Sequence, residues 1–113
     1  MLEVEAYSGK TVMITGGRGY IGSSVANLLS RVDCRLILAD RTGTGWEPEC
    51  PRADVVSVSA DLATDEGWRR VLCDVDYVFH LAGLEYDRGS FDWEIDLTNN
   101  FLTVARMLAV CKE

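Results

Sequence analysis

Three glycines near the amino terminus have the spacing of a phosphate-binding turn. They are Gly16, Gly19 and Gly22, arranged as G-x-x-G-x-x-G. Gly16 would allow a sharp turn, Gly19 would let a pyrophosphate approach the backbone, and Gly22 would let a helix pack closely. A helix that begins at such a turn directs N–H groups and the positive end of its dipole at the phosphates. The spacing therefore favours dinucleotide binding over a merely structural turn.

The elements on both sides of these glycines are those that a nucleotide-binding turn requires. Residues 10–15 form a short run rich in β-branched side chains, which predicts a strand. From residue 20 to residue 31 the apolar residues recur at helical spacing and predict one buried face, formed by Ile21, Val25, Leu28 and Leu29. A strand, a glycine turn and a helix in succession are the context in which this spacing is informative.

An acidic residue ends the second predicted strand, residues 35–40, about 20 residues after the glycines. In that place Asp40 would accept hydrogen bonds from the adenine ribose hydroxyls and would repel a 2′-phosphate. The sequence thus favours NAD over NADP as cofactor. Arg41 could stack on adenine or meet a 2′-phosphate, which keeps NADP as the less favoured alternative. A capping or solvated aspartate is the plain alternative for Asp40 itself.

Residues 15–22, Thr-Gly-Gly-Arg-Gly-Tyr-Ile-Gly, resemble the opening of the extended short-chain dehydrogenase/reductase family. That family includes NAD-dependent nucleotide-sugar epimerases and dehydratases. The resemblance implies that Tyr20 and Ile21 belong to the cofactor-binding turn together with the glycines. It also implies a Rossmann fold, and further motifs extend it over nearly all of the chain.

Two later motifs carry the same resemblance. Asp61-Leu62 resembles the Asp-Leu or Asp-Val that follows the third strand in the family. This implies that Asp61 binds the adenine amino group and that Leu62 lines the adenine slot, although a plain helix-entry aspartate remains an alternative. After His80, the segment Leu81-Ala82-Gly83 resembles the family's His-Leu-Ala-Ala or His-Leu-Ala-Gly. Its small residues would let the backbone run beside the ribose and nicotinamide half of the cofactor.

His80 is the only histidine of the chain. A lone histidine beside a cofactor site could act as a base. It nevertheless precedes the small residues that approach the cofactor, and the sequence offers no evident carboxylate partner. We therefore interpret His80 as structural, with proton transfer as the alternative.

No catalytic residue can be assigned from the sequence. The resemblance implies a Tyr-x-x-x-Lys pair in which the tyrosine exchanges a proton with the sugar. None of the four tyrosines has a lysine four positions later; they are Tyr7, Tyr20, Tyr77 and Tyr86. We expect the chain to be the cofactor-binding half of such an enzyme, truncated relative to the family and not catalytic alone. The alternative is a non-catalytic module that self-associates or binds a partner.

The coarse order of elements predicts an α/β fold. Further strands are expected at residues 53–58 and 76–81, with loops at 42–51 and 83–90. A second helix should begin after Thr64, with Asp65 and Glu66 in its first turn. Alternating strands and helices predict one partial Rossmann domain over residues 1–113, whose parallel four-stranded sheet has the order 3-2-1-4. The ligand crevice would then lie between strands 1 and 4, at their carboxyl ends.

Composition excludes several other classes of function. The formal charge of −7, from 18 acidic and 11 basic residues, argues against nucleic acid and anionic membranes as partners. No apolar run approaches the roughly 20 residues of a membrane span. Acidic residues near the amino terminus replace the basic region of a secretory signal, so we expect a cytoplasmic protein. The four cysteines match no zinc or redox spacing, and we expect reduced thiols and no metal.

Two apolar surfaces predict self-association. Strand 4 would be an edge without the lysine, proline or bulge that protects natural edges. The last helix, residues 93–111, should bury one stripe and is apolar elsewhere as well; the stripe consists of Leu97, Phe101, Val104, Ala105 and Leu108. We therefore expect a homodimer formed through strand 4, the last helix, or both.

Overall fold

Four parallel strands form a single sheet in the order β3-β2-β1-β4. The computed structural model describes residues 4–17, 19–40, 46–49, 51–62, 64–82, 94 and 97–112. The strands are β1 (Thr11–Thr15), β2 (Arg35–Asp40), β3 (Asp54–Ser59) and β4 (Tyr77–His80). Thr15, the last residue of β1, lies beside Ala39 of β2 and His80 of β4. The predicted strand order is confirmed, and the carboxyl ends of β2, β1 and β4 meet at one edge.

The helices cover both faces of this sheet. A short 3-10 helix, Val4–Tyr7, precedes β1, and α1 (Tyr20–Leu29) packs on the same face of the sheet as Tyr7. On the other face lie α2 (Asp65–Val71) and α3 (Thr103–Cys111), the latter preceded by a π-helical segment, Leu97–Leu102. Among the described residues, no helix has the length and apolar character needed to span a membrane.

Side chains alternate between the two layers of the core, as successive residues of a strand must. In β1, Val12 and Ile14 pack against the α1 layer, whereas Met13 packs against the α2 layer. In β2, Leu36 and Leu38 face α1 and Ile37 faces the other side. Both central strands are therefore buried on two faces, which explains their continuous apolar runs.

The start of α2 is capped as predicted. The Thr64 hydroxyl accepts a hydrogen bond from the Gly67 N–H at 3.0 Å and donates one to the Asp61 carbonyl at 3.0 Å. Asp65 and Glu66 occupy the positive first turn. One turn later Trp68 is fully buried.

Two predicted buried stripes are only partly correct. In α1 the buried residues are Gly22, Ala26 and Leu29, while Ile21 is 63% exposed. In α3 the buried residues are Thr103 and Val110, while Leu108 is 57% exposed; Phe101, in the π-helical segment before α3, is 63% exposed. The prediction for the last helix assumed one continuous 3.6-residue period. A π-helical segment, with its i→i+5 hydrogen bonds, changes the phase of the residues that follow it.

Several predicted features lie outside the described residues. They include Arg41, Gly83, the loop of residues 83–90 and, at the expected start of the last helix, residues 93, 95 and 96.

Candidate dinucleotide-binding site

The turn after β1 holds the ends of three strands together. Gly16 has a φ of +66°, a conformation that favours glycine. Its N–H donates to the Ala39 carbonyl of β2 at 2.9 Å. On the other side, a Cβ added to Gly16 would lie 3.0 Å from the Ala82 nitrogen. The turn is thus hydrogen-bonded to the strand that leads into Asp40 and is in contact with the segment that follows His80.

The helix α1 leaves this turn at very close range. A Cβ added to Gly22 would lie 2.0 Å from the Gly16 carbonyl oxygen, which no side chain could tolerate. The same oxygen accepts a hydrogen bond from the Gly19 N–H at 2.9 Å. At Gly19 itself an added Cβ would lie 3.3 Å from that oxygen, and the residue is exposed. Gly22 therefore serves packing, as predicted, whereas Gly19 is exposed and makes the looser of the two approaches.

Among the described residues, no side chain caps the amino-terminal end of α1. Gly19 is the N-cap, no side chain caps it, and the first turn contains no acidic residue. The first N–H groups of a helix need partners, and its amino-terminal end attracts negative charge. By contrast, α2 has its threonine cap and two acidic residues in the same positions. Tyr20, 90% exposed, and Ile21 flank the open end of α1.

A buried hydroxyl joins β1 to the segment after β4. The Thr15 Oγ1 lies 2.7 Å from His80 Nδ1, and it accepts hydrogen bonds from the Leu81 and Ala82 N–H groups at 3.0 and 3.1 Å. Thr15 is fully buried, so this hydroxyl is part of the interior rather than the surface. Sequence reasoning missed Thr15, because its partners lie 65 residues or more away along the chain. Its position directly before Gly16 was the available signal.

His80 contacts uncharged groups. The Trp68 ring lies edge-to-face against the imidazole with centroids 5.3 Å apart. Burial lowers the pKa of His80 below its ordinary value of 6.5, because desolvation disfavours the charged form. The Nε2 atom is buried without a hydrogen-bond partner among the described residues. This environment favours the structural interpretation over a role as proton acceptor from substrate.

The predicted adenine contacts lie along the same edge of the sheet. Asp40 is half-buried at the end of β2, and its carbonyl accepts from the Ala60 N–H at 3.2 Å. Asp61 follows β3 and is exposed. Leu62 is only 8% exposed and belongs to the core beneath α2, where its carbonyl accepts from Trp68 Nε1 at 2.8 Å. The roles of these residues toward adenine stay predictions, and Arg41 and Gly83 lie outside the described residues.

The cysteines offer no alternative chemistry within the part of the chain that the structure describes. Cys34 is buried, Cys73 and Cys111 are exposed, and all three are free thiols. No cluster of three or more potential metal ligands occurs among the described residues.

A family model described as "NAD dependent epimerase/dehydratase family" matches residues 12–113. The chain belongs to this family. The resemblance to the extended short-chain dehydrogenase/reductases noted from the glycine turn is thereby confirmed, and the parallel sheet with its flanking helices is the fold expected of such a member.

Individual relatives agree with this assignment. The chain is 38% identical over 74 residues to a UDP-glucose 4-epimerase of Azospirillum brasilense. This alignment covers 64% of this chain and 21% of that protein. Among solved structures, the epimerase Mth375 of Methanothermobacter thermautotrophicus is 33% identical with a TM-score of 0.83, over 97% of this chain and 34% of that one. MoeE5, in complex with UDP-glucuronic acid and NAD, is 26% identical with a TM-score of 0.73, over 89% of this chain and 32% of that one. The chain therefore spans between a fifth and about a third of the length of these relatives.

Proposed function

We propose that this chain is the NAD-binding portion of a nucleotide-sugar epimerase- or dehydratase-like protein and is not catalytic alone. The observation that carries the proposal is the tight contact of Gly22 with Gly16 beside an uncapped end of α1. Together they form a cradle at the carboxyl edge of the sheet. Because the turn residues Gly16, Gly19 and Gly22 have no side chains, the backbone of this cradle stays accessible. Such a cradle suits a pyrophosphate, which needs close backbone approach and N–H donors.

The remaining predicted contacts follow the edge of the sheet on both sides of this cradle. Asp40 would hold the adenine ribose, with Asp61 and Leu62 near the adenine ring. On the β4 side, Leu81 and Ala82 would lie beside the ribose and nicotinamide half, with Gly83 next in sequence. When bound, NAD supplies a hydride acceptor to the reaction. The chain's own residues bind and orient it.

A nucleotide sugar is the substrate class proposed for the whole protein of which such a domain would be part. The support comes from the relatives: one is a UDP-glucose 4-epimerase, and another is a structure in complex with UDP-glucuronic acid and NAD. The Tyr-x-x-x-Lys pair implied by the family resemblance does not occur in this sequence. Purified chain mixed with NAD and UDP-glucose should therefore produce neither NADH nor UDP-galactose; steady turnover would contradict this part of the proposal.

Calorimetric titration with NAD and with NADP tests the cofactor. We expect weak binding of NAD and weaker binding of NADP, because the Asp40 carboxylate would repel a 2′-phosphate. Asp40→Ala should lower the affinity for NAD by roughly tenfold, which is the effect of losing one hydrogen bond to a charged group. Asp54→Ala is the matched control, since Asp54 is an exposed aspartate at the opposite end of β3. Tighter binding of NADP, or no effect of Asp40→Ala on NAD, would overturn the assignment.

We propose self-association through α3 as a second property of the chain. Phe101 and Leu108, with the exposed Ala105 between them, present apolar side chains to solvent on one side of the last helix. At the edge of β4, the 3-10 helix residue Tyr7 packs edge-to-face on Tyr77 and also contacts Phe79, so these two side chains already have a partner within the chain. The helix is therefore the favoured surface of the two for a homodimer.

A further inference from the structure

We propose that Thr15 and His80 are paired positioning residues that hold the backbone of Leu81 and Ala82 against the glycine turn, and that this hold requires a neutral imidazole in one tautomer. The inference rests on the proposed NAD site, because that backbone is where the nicotinamide half would lie. Neither residue contacts the cofactor in this proposal. Both act through the segment that follows β4.

The geometry around the Thr15 hydroxyl favours one arrangement of protons. An alcohol oxygen has two lone pairs and one hydrogen. The Leu81 and Ala82 N–H groups can only donate, and both point at Oγ1, at 3.0 and 3.1 Å. The two lone pairs are thereby used. The hydroxyl hydrogen remains for His80 Nδ1 at 2.7 Å, which favours Nδ1 as the acceptor and places the ring proton on Nε2, an atom without a hydrogen-bond partner among the described residues.

Protonation of His80 breaks this arrangement. A proton on Nδ1 would make the Thr15 oxygen the target of three N–H donors, one more than it can accept. The Leu81 N–H has a second acceptor in the Thr15 carbonyl at 3.2 Å. Ala82 depends on the hydroxyl, so its N–H is the one that would be released. Since Ala82 contacts Gly16, the release would reach the turn directly.

The surroundings of the imidazole add no charge that would favour its protonation. From β1 it faces Thr15, and from α2 it faces Trp68, neither of which titrates. No charged side chain among the described residues counteracts the effect of burial on its pKa. A neutral His80 imidazole is therefore consistent with the hydrogen-bond donors and acceptors around Thr15 and with its uncharged surroundings.

Nuclear magnetic resonance can read the tautomer directly, without cofactor. The chain contains one histidine, so a long-range nitrogen-15 correlation spectrum shows a single imidazole. We expect the Nε2–H tautomer near neutral pH. A spectrum of the Nδ1–H tautomer, or of an imidazolium, would overturn the proposal whatever the fate of NAD binding.

Variants of Thr15 test the hold itself through amide hydrogen exchange at Ala82. Thr15→Val removes the hydroxyl at nearly constant volume and should speed exchange at Ala82 by about tenfold relative to the β1 amides, the effect of one lost hydrogen bond. NAD affinity should fall by a similar factor. Thr15→Ser keeps the hydroxyl and should restore both. Thr103→Val, a change of another buried threonine on α3, is the control. It should leave the exchange rate at Ala82, relative to the β1 amides, unchanged.

The pH profile separates positioning from simple stabilisation. NAD affinity of the unmodified chain should be constant well above pH 6.5 and should fall as the pH drops through the lowered pKa of His80, because the neutral ring is required. His80→Asn offers an acceptor to Thr15 but does not titrate, and it should abolish this fall. An identical pH dependence in His80→Asn, or a Thr15→Ser variant that behaves like Thr15→Val, would contradict the proposal. Should NAD not bind at all, the proposed function fails, whereas the tautomer and the exchange ratio still decide this inference.

Discussion

Gly22 and Gly19 belong to the same turn, but an added methyl group would meet different surroundings at each. At Gly22 it would lie 2.0 Å from the Gly16 carbonyl oxygen, whereas at Gly19 it would lie 3.3 Å away. We predict that Gly22→Ala lowers the free energy of unfolding by about 3 kcal/mol, the upper range for overpacking. Gly19→Ala should cost less than about 1 kcal/mol, because its backbone conformation suits any residue. Urea denaturation monitored by circular dichroism measures both.

The variants Gly22→Ala and Gly19→Ala also distinguish a role in packing of the fold from a role in binding of NAD. If Gly19 marks where the pyrophosphate approaches, Gly19→Ala should keep the fold and yet lose most NAD affinity. Equal loss of stability in the two variants would contradict the packing argument, and unchanged NAD affinity in Gly19→Ala would contradict the binding argument.

Among the helices, α2 has its own amino-terminal cap. It packs on the face of the sheet that α3 also covers. Trp68 fills the core from this helix, and an ion pair of 3.1 Å between Arg106 and Asp65 links it to α3. We predict that Thr64→Ala lowers the free energy of unfolding by about 1 kcal/mol, because the Gly67 N–H loses its acceptor. Thermal denaturation should show a Tm lower by roughly 4 °C.

Ser24→Ala in α1 is the matched control for this prediction. It also removes an exposed hydroxyl, but one that only returns to the Tyr20 carbonyl of its own helix. Its effect should stay within about 0.5 kcal/mol. Comparable losses in the two variants would mean that the cap contributes nothing specific to α2.

For the whole molecule, the last helix exposes two large apolar side chains among the described residues, Phe101 and Leu108. Burying exposed apolar area there against a second copy would stabilise the assembly by about 25 cal/mol per Å². We predict a homodimer in sedimentation velocity at micromolar concentration, which Phe101→Lys should convert to monomer. A monodisperse monomer of the unmodified chain would refute the prediction.

Two further variants locate the interface if a dimer is found. Tyr20→Lys changes another exposed aromatic residue, far from α3 in the sequence and on the other face of the sheet, and should leave the dimer intact. Tyr77→Lys places a charge on the exposed start of β4 and tests the edge of the sheet. Loss of the dimer in Tyr77→Lys but not in Phe101→Lys would move the interface from the helix to the strand.

Local sequence determined most of the fold and the frame of the candidate site. The strand, the glycine turn and the start of α1 are contiguous, so their residue types specify them without reference to the rest of the chain. The Thr64 cap and the apolar runs of β1 and β2 are equally local. The strand order followed from the alternation of strands and helices together with the family resemblance, and the structure confirmed it.

Tertiary structure alone decided the features that join distant parts of the chain. The pairing of Thr15 with His80 and Ala82 depends on the register between β1 and β4, which no local pattern encodes. The buried side of the last helix was likewise decided by packing: Thr103 and Val110 are buried, whereas Phe101 and Leu108 are exposed, and the π-helical segment Leu97–Leu102 departs from the regular period. Periodicity reports which residues share a face of one regular element. Only the packing of the elements determines which face is covered and which hydrogen bonds close across the strands.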